Sequence, residues 1–344
     1  MRAWHPIAVI IGVLVVFGLA TNGWDRPPLQ STQLGFRGLG MDQITNLRRY
    51  LTNPDVDQLP AAIPAVPAGG PMATEQFKNL KVLTDVSSSE LLRVMAAMTA
   101  WVSPKEGCNY CHDGADLASD AKYQKVVARR MIEMVRHING DWKQHVANTG
   151  VTCYTCHRGN PVPMNIWFSE PGGQDLVMGS AETASGQNHP SALVGSTSLP
   201  SDPFSNFFTT DANARIISTT ALPEGNRHSI KQAEYTYGLM MTISQSLGVN
   251  CTFCHNSRSF FDWDQSSPKR LVAWQGIHMV RDLNMSYLEP LKAVFPPNRL
   301  GPHGGAPNVS CATCHQGAHK PLMGANLVST FPELGGTAAQ LPSQ

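Results

Sequence analysis

Four stretches of the chain carry apolar side chains at the spacing of an amphipathic helix. We mark each stretch by its residues at positions i, i+3 and i+7, which share one helical face. The marked sets are Met95, Met98 and Val102; Met131, Met134 and Ile138; Met240, Ile243 and Leu247; and Gly276, Met279 and Leu283. Ser87 and Glu90 have the spacing of a capping box before the first stretch. The pattern predicts a mainly α fold with long irregular connections.

The amino terminus carries a different pattern, an apolar run without charge over residues 7–20. Its fourteen residues are typical of a signal-peptide core and short for a membrane span. Trp4 and Trp24 extend the run at both ends, where interfacial aromatic residues are common. We interpret residues 1–24 as a retained single-pass membrane anchor, with a helix over 4–24 and the rest of the chain outside.

The composition excludes two classes of protein. The chain of 344 residues is 42% hydrophobic and 15% charged, which is too apolar for a disordered polypeptide. Lys plus Arg number 26 against 25 for Asp plus Glu, so there is no basic surplus to bind a phosphate backbone. We therefore expect a folded protein that does not bind nucleic acid.

All eight cysteines fall in four copies of one pentapeptide, Cys-x-x-Cys-His. In this pattern the two thiols bond to one porphyrin and the adjacent histidine binds its iron. Redox dithiols, disulfides and zinc hooks would leave the adjacent histidine unexplained. The sequence predicts four covalently bound haems c, one for each motif. The thiols are Cys108, Cys111, Cys153, Cys156, Cys251, Cys254, Cys311 and Cys314, and the proximal ligands are His112, His157, His255 and His315.

A repeated segment divides the haem-bearing chain into two halves. ARRMIEMVRHIN at 128–139 matches AWQGIHMVRDLN at 273–284 at Ala, Ile, Met, Val, Arg and Asn, and each segment precedes the second motif of its half. Segments rich in Pro, Gly and Ser separate the parts. We expect an anchor, an extended arm, a first dihaem half, a connector, a second dihaem half and a tail. Their bounds are 1–24, 25–75, 76–170, 171–226, 227–325 and 326–344.

The leading residue of each apolar set is a candidate for the sixth ligand of an iron. Met95, Met131 and Met240 stand in matching places before motifs one to three, where a helix across the open haem face would deliver the thioether sulfur. The fourth set begins with Gly276, which cannot bind iron but leaves space above the ring. His145, eight residues before motif two, is the first candidate for that space. The alternatives are His5, His137, His189, His228, His278, His303 and His319.

These blocks resemble the tetrahaem cytochrome c subunit of purple-bacterial photosynthetic reaction centres. The resemblance covers nearly the whole chain after the anchor. It rests on QLGFRGLGM, VMAAMTAWV, EGCNYCH, VVARRMIEMVRHIN, HVANTGVTCYTCHRG, LMMTISQSLGVNCTFCHN, MVRDLN and CATCHQG. In that family three haems take Met and one takes His as the sixth ligand. The resemblance implies Met95 for haem one, Met131 for haem two, Met240 for haem three and His145 for haem four.

The resemblance also implies a function. Such subunits relay electrons from a soluble periplasmic donor, a cytochrome c or a high-potential iron–sulfur protein, to the photo-oxidised bacteriochlorophyll special pair. It implies the L and M subunits as partners and a place on the periplasmic side of the bacterial photosynthetic membrane. Haem three would lie nearest the pigment pair and haem one would be the entry. Arg270 resembles a family arginine near haem three, although a solvated surface charge is the other interpretation.

Two other classes share parts of this pattern. A membrane-anchored tetrahaem quinol dehydrogenase also has one amino-terminal helix and four such motifs, but three Met ligands argue against its low-potential or open haems. A multihaem reductase needs an iron with a vacant position. Two protein ligands on every iron predict an electron carrier and not an enzyme.

Overall fold

A computed structural model gives the arrangement of most of the chain. It describes residues 4–22, 29–33, 42–46, 55–67, 69–169, 193–194, 197, 199–216 and 230–335. This part is mainly helical with little strand, which confirms the predicted class. The α-helices are α1 Trp4–Asn22, α2 Ala73–Gln76, α3 Ser88–Val102, α4 Tyr123–Asp141, α5 Lys143–Val146, α6 Cys153–His157, α7 Ser205–Phe208, α8 Ile230–Leu247, α9 Lys269–Asp282 and α10 Cys311–His315. Most of the connector 171–226 and residues 336–344 of the tail lie outside the described residues.

The four predicted amphipathic helices are α3, α4, α8 and α9, and each precedes one Cys-x-x-Cys-His motif, α3 and α8 closely and α4 and α9 by 12 and 29 residues. The capping box before α3 is confirmed. The backbone N–H of Glu90 donates to the Ser87 Oγ at 3.3 Å, and the backbone N–H of Ser87 donates to the Glu90 carboxylate at 2.8 Å. These two reciprocal bonds supply acceptors for two backbone N–H groups that have none within the first helical turn. One face of the helix is then buried, with Trp101 packed edge-on against Phe331.

Two short strands lie in the segment 25–75, which the sequence predicts as an extended arm without strands. β1 Leu29–Gln33 pairs antiparallel with β2 Asp42–Asn46, and Ser31 lies opposite Ile44 in the register. The sequences LQSTQ and DQITN show no alternation of apolar and polar residues, which is the pattern that predicts a half-buried strand. The pair was therefore invisible to pattern reasoning.

Matching positions of α4 and α9 make matching contacts. The Arg136 Nε donates to the Glu333 carbonyl, and the Arg281 Nε, 145 residues later, donates to the Phe207 carbonyl, both at 2.9 Å. Each guanidinium also pairs with one aspartate, Asp85 for Arg136 and Asp211 for Arg281. The two arginines therefore tie their helices to the surrounding loops in the same way.

Helices α4 and α9 contact each other through His137 and Asp282, which occupy equivalent positions in the repeat. The His137 Nε2 lies 2.6 Å from the Asp282 Oδ2, and the Trp142 indole N–H donates to the same oxygen at 3.0 Å. Burial alone would raise the pKa of Asp282, but hydrogen bonds from His137, Ser286 and Trp142 outweigh it and hold the pKa below its usual range. An ionised Asp282 therefore links α4 to α9.

Helix α1 covers most of the predicted helix 4–24. Its large apolar side chains between Val9 and Leu19 are exposed. Across the residues that the structure describes, no helix reaches the length and apolar character required to cross a membrane. The membrane-spanning role stays a prediction.

Candidate haem centres

The four motifs fall into two local geometries. Motifs two and four form the one-turn helices α6 and α10, and the residue before each helix donates its backbone N–H to a threonine of that helix. These donors are Thr152 and Ser310, at 3.0 and 2.9 Å from the Thr155 and Thr313 hydroxyls. Motifs one and three lie instead in 3₁₀ turns, at Gly107–Tyr110 and Cys251–Phe253. In local backbone structure, motif one therefore resembles motif three, and motif two resembles motif four.

Each motif histidine has its Nδ1 on a backbone carbonyl of the loop that follows. The acceptors are Leu117 for His112 at 3.0 Å, Asn160 for His157 at 2.8 Å, Phe260 for His255 at 2.8 Å and Ala318 for His315 at 2.8 Å. A carbonyl only accepts, so each Nδ1 carries the proton and each Nε2 keeps a lone pair for a metal. Burial lowers the pKa of His157, His255 and His315, that of His315 to about 4. Neutral imidazoles of this tautomer are suited to bind iron.

A cavity of about 1290 Å³ connects motifs one, two and four. This exceeds the roughly 300–1,000 Å³ of a pocket for one small ligand. Its walls include the motif cysteines and histidines together with Met95, Met131, His145 and Gly276. A space of this size, bordered by thiols and by histidines with free Nε2 atoms, fits the predicted haems of these three motifs.

The structure places His145 where the sequence predicts a ligand for haem four. A Cβ added to Gly276 would lie 2.6 Å from the His145 Cε1, so only glycine leaves room for this ring. The His145 Nδ1 lies 2.9 Å from the Val272 carbonyl, which again turns Nε2 away from the backbone. His189 and His228, two of the alternatives, lie outside the described residues.

The centroids of the His145 and His315 rings lie 6.1 Å apart, with the ring planes at 72° to each other. Two metal–imidazole bonds of about 2.0 Å each, with roughly 1.1 Å from each nitrogen to its ring centre, require about 6.2 Å. The separation leaves the room that two such bonds would need, so His145 and His315 are the residues that would hold one iron. Burial lowers the pKa of His145 as well, which keeps the imidazole neutral.

The three methionines are placed unequally. Met95 lines the cavity with Cys108 and His112, and Met131 lines it with the residues of motif two. Met240 lies on α8, partly buried against the core that includes Leu239 and Ile243. Ligation by each of the three remains a proposal.

Arg270 is held over the loop after motif three. Its Nη1 donates to the Asp262 carbonyl at 2.9 Å and to the Ser266 hydroxyl at 2.8 Å, and its guanidinium lies 4.2 Å from the Trp263 ring centre. Burial and, to a smaller extent, the charge of Arg270 lower the pKa of His255. These contacts favour a fixed charge near motif three over a freely solvated one.

Motifs two and four lie back to back. The sulfur atoms of Cys156 and Cys314 are in disulfide contact, with their Cα atoms 4.5 Å apart, and the other six cysteines are free. The Arg158 Nη2 donates to the Cys314 carbonyl at 3.1 Å, and the Gln316 Nε2 donates to the Cys156 carbonyl at 3.4 Å. A sulfur in a disulfide cannot also bond to a porphyrin, so this contact competes with the predicted thioethers at two cysteines.

Two buried asparagines that the sequence reasoning missed position motifs two and four. Asn139 exchanges two hydrogen bonds with the backbone of Val151, and Asn284 does the same with Val309. Val151 and Val309 each stand two residues before the first cysteine of a motif. The repeat of Asn in the two aligned segments was the available signal.

We expect Asn284→Ala to lower the free energy of unfolding by about 3 kcal/mol, since it removes the acceptor of the buried Val309 N–H and the bonds donated to the carbonyls of Val309 and Phe208. Urea unfolding of the holoprotein measures this. Asn308→Ala is the matched control, because the Asn308 side chain donates one long bond, 3.3 Å, to the nearby Ala306 carbonyl. Equal stability of the two variants would contradict the positioning role of Asn284.

Comparison with known proteins agrees with this geometry. The family model for the photosynthetic reaction centre cytochrome C subunit matches residues 25–335. The chain is 50% identical over 332 residues to the photosynthetic reaction center cytochrome c subunit of Rubrivivax gelatinosus, covering 95% of this chain and 90% of that protein. It is 49% identical to the Thermochromatium tepidum subunit, covering 95% and 80%, and 41% identical to that of Roseobacter denitrificans, covering 96% and 94%. The chain belongs to the family of photosynthetic reaction centre cytochrome c subunits.

Proposed function

We propose that the chain is the electron-transfer subunit of a photosynthetic reaction centre and re-reduces the photo-oxidised bacteriochlorophyll special pair. The observation that carries this proposal is the close pair of imidazoles, His145 and His315, beside Gly276. Side chains on both sides of one iron leave no position for a substrate, so such a centre exchanges electrons only. Haem, when bound, supplies the one-electron ferrous/ferric couple.

The proposed cofactors are four haems c with two protein ligands each. Met95 and Met131 are supported as sixth ligands by their place in the cavity beside their own motifs. Met240 is supported by its position on the helix before motif three, which corresponds to that of Met95 before motif one. Thioether ligation raises the potential of an iron, which suits acceptance of electrons from a soluble donor.

The proposed partners are the L and M subunits on one side and a soluble periplasmic donor on the other. Either a cytochrome c or a high-potential iron–sulfur protein fits this role. By resemblance to the family, haem three lies nearest the special pair and haem one is the entry. Arg270, fixed beside motif three, would oppose oxidation of haem three by its charge.

We also propose that α1 attaches the chain to the photosynthetic membrane, with the haem domain on the periplasmic side. It is supported by the exposed apolar side chains of that helix and by the absence of charged residues from 6 to 24.

We also infer that the two dihaem halves arose by duplication. This is supported by the contacts of Arg136, which correspond to those of Arg281, and by the contacts of Asn139, which correspond to those of Asn284.

Flash excitation of native membranes tests the function. With all haems reduced beforehand, one haem should be oxidised with the same time constant as the special pair is re-reduced. Re-reduction of the pair while every haem stays ferrous would contradict the proposal. The alternative, a membrane-anchored tetrahaem quinol dehydrogenase, predicts haem reduction by quinol and no light-induced oxidation, and none of the named relatives supports it.

A thiol count distinguishes thioethers from the Cys156–Cys314 contact. We expect no cysteine of the reduced, denatured holoprotein to react with an alkylating reagent, because all eight sulfurs are bonded to porphyrin. Mass spectrometry measures the labels. The chain produced without haem attachment is the control and should take eight labels. Labelling of Cys156 and Cys314 alone would show that the disulfide forms and that haems two and four hold one thioether each.

A further inference from the structure

Lys125 lies in the first turn of α4 and reaches the loop that follows motif one. Its side chain is 10% exposed, and its Nζ donates to the carbonyls of Leu117 at 2.8 Å and Ser119 at 2.9 Å. The Leu117 carbonyl also accepts the Nδ1–H of His112, at 3.0 Å. One carbonyl oxygen therefore joins a nearly buried ammonium to the proximal imidazole of haem one.

The loop after motif three has the same arrangement. The Phe260 carbonyl accepts the Nδ1–H of His255 at 2.8 Å and faces the Arg270 Nη1 at 3.5 Å. Leu117 and Phe260 each stand five residues after their histidine. Lys125 and Arg270 stand 145 residues apart, the same offset that aligns α4 with α9. Lys125 is therefore the counterpart of Arg270 in the first half.

The positions of Lys125 and Arg270 are not explained by a stabilising effect on their own helices. The first turn of a helix carries partial positive charge, so a cation there costs about 0.3–1 kcal/mol. Neither α4 nor α9 has an acidic residue in its first turn to offset this cost. A role outside the helix, toward the motif loop, fits the observed contacts better.

We propose that Lys125 raises the midpoint potential of haem one, as a positioning residue that acts through the Leu117 carbonyl on His112. A fixed positive charge near the iron disfavours the ferric state. The ammonium also draws electron density from the Leu117 oxygen, which weakens the hydrogen bond from His112 and makes the imidazole a poorer donor to ferric iron. Both effects have the same sign. The inference rests on the proposed haem site at motif one.

The carboxylate nearest to Lys125 compensates its charge only in part. Asp120 is the carboxylate beside Lys125, with its Oδ1 at 3.5 Å from Nζ. It is shared with Arg129 at 2.9 Å and Lys81 at 3.4 Å. The Arg129 guanidinium holds the pKa of Asp120 far below its usual range, so one negative charge faces three positive ones. These four side chains together are net positive, while the motif loop itself also carries Asp113 and Asp116.

Redox titration of the haem-one absorption band in the intact membrane complex tests the proposal. We expect Lys125→Gln to lower the ferrous-to-ferric ratio of haem one about tenfold at a fixed ambient potential, which is about 59 mV for a one-electron couple. Lys125→Arg should keep the wild-type value. Lys81→Gln is the matched control, because Lys81 pairs with the same Asp120 but is 61% exposed and should change the ratio far less.

A second variant keeps the proposal testable if Lys125→Gln does not accumulate. Asp120→Asn removes the partly exposed opposing charge and should raise the haem-one potential. The proposal is overturned if Lys125→Gln shifts haem one no more than Lys81→Gln, or if Asp120→Asn lowers its potential or leaves it unchanged. Failure of the electron-transfer role would instead appear as absent flash-induced oxidation in the wild type, while the titration still reports the effect of Lys125.

Discussion

Replacing His145 by alanine is expected to turn haem four into a high-spin centre that binds carbon monoxide when reduced. The centres of the His145 and His315 rings lie 6.1 Å apart, and both Nδ1 atoms are hydrogen-bonded to backbone carbonyls. Removing the ring leaves the Gly276 side open, because glycine offers no other donor. We expect one carbon monoxide per protein molecule, measured by the difference spectrum of the reduced variant.

A matched substitution on the surface controls for nonspecific damage. His303 is exposed, so His303→Ala should leave the carbon monoxide spectrum of the native protein unchanged. The double variant His145→Ala with Gly276→Met gives a second test, since position 276 corresponds to Met131 in the repeat. We expect it to restore six-coordination with a thioether and to raise the haem-four potential. Carbon monoxide uptake by His145→Ala equal to that of wild type would remove His145 from the ligand set.

The second large effect is expected at haem one. Met95→Ala should open the iron to carbon monoxide and lower the ferrous-to-ferric ratio of haem one at least tenfold, about 59 mV, because the thioether that stabilises ferrous iron is lost. Met95 and Met98 are both half-buried on α3 and both line the cavity. Only Met95 stands at the leading position of its set.

Met98→Ala is therefore the control for Met95→Ala. It should cost about 1–2 kcal/mol of unfolding free energy from lost packing and leave the haem-one spectrum and potential unchanged. Titration and carbon monoxide difference spectra of both variants measure this contrast. If Met98→Ala gives the spectral change and Met95→Ala does not, the ligand is one turn further along the helix.

Local signals in the sequence predict much of the site. Cys-x-x-Cys-His predicts four haem centres because its chemistry depends on neighbouring residues only. The capping box at Ser87 predicts the start of α3, and the glycine at 276 predicts space that His145 fills in the structure. The last two predictions are confirmed because one depends on a helical period and the other on a single missing side chain.

Contacts between distant segments were not predictable in the same way. Asn284 acts on Val309, 25 residues later, and Arg136 binds the carbonyl of Glu333, 197 residues later. The sequence alone predicts that Lys125 is one more surface charge, although its ammonium is nearly buried against the loop after motif one. The repeat alignment holds the signal for these roles, namely the same residue type at positions that stand 145 residues apart.

The central claim is that every iron is held between two protein ligands, with sulfur on three and imidazole on one. Near-infrared magnetic circular dichroism of the fully oxidised native protein tests this most directly, because sulfur-to-ferric and bis-imidazole centres give separate bands. We expect three methionine-ligated haems and one bis-histidine haem per molecule. Absence of the sulfur band, or a high-spin ferric signal from any haem, would contradict the account.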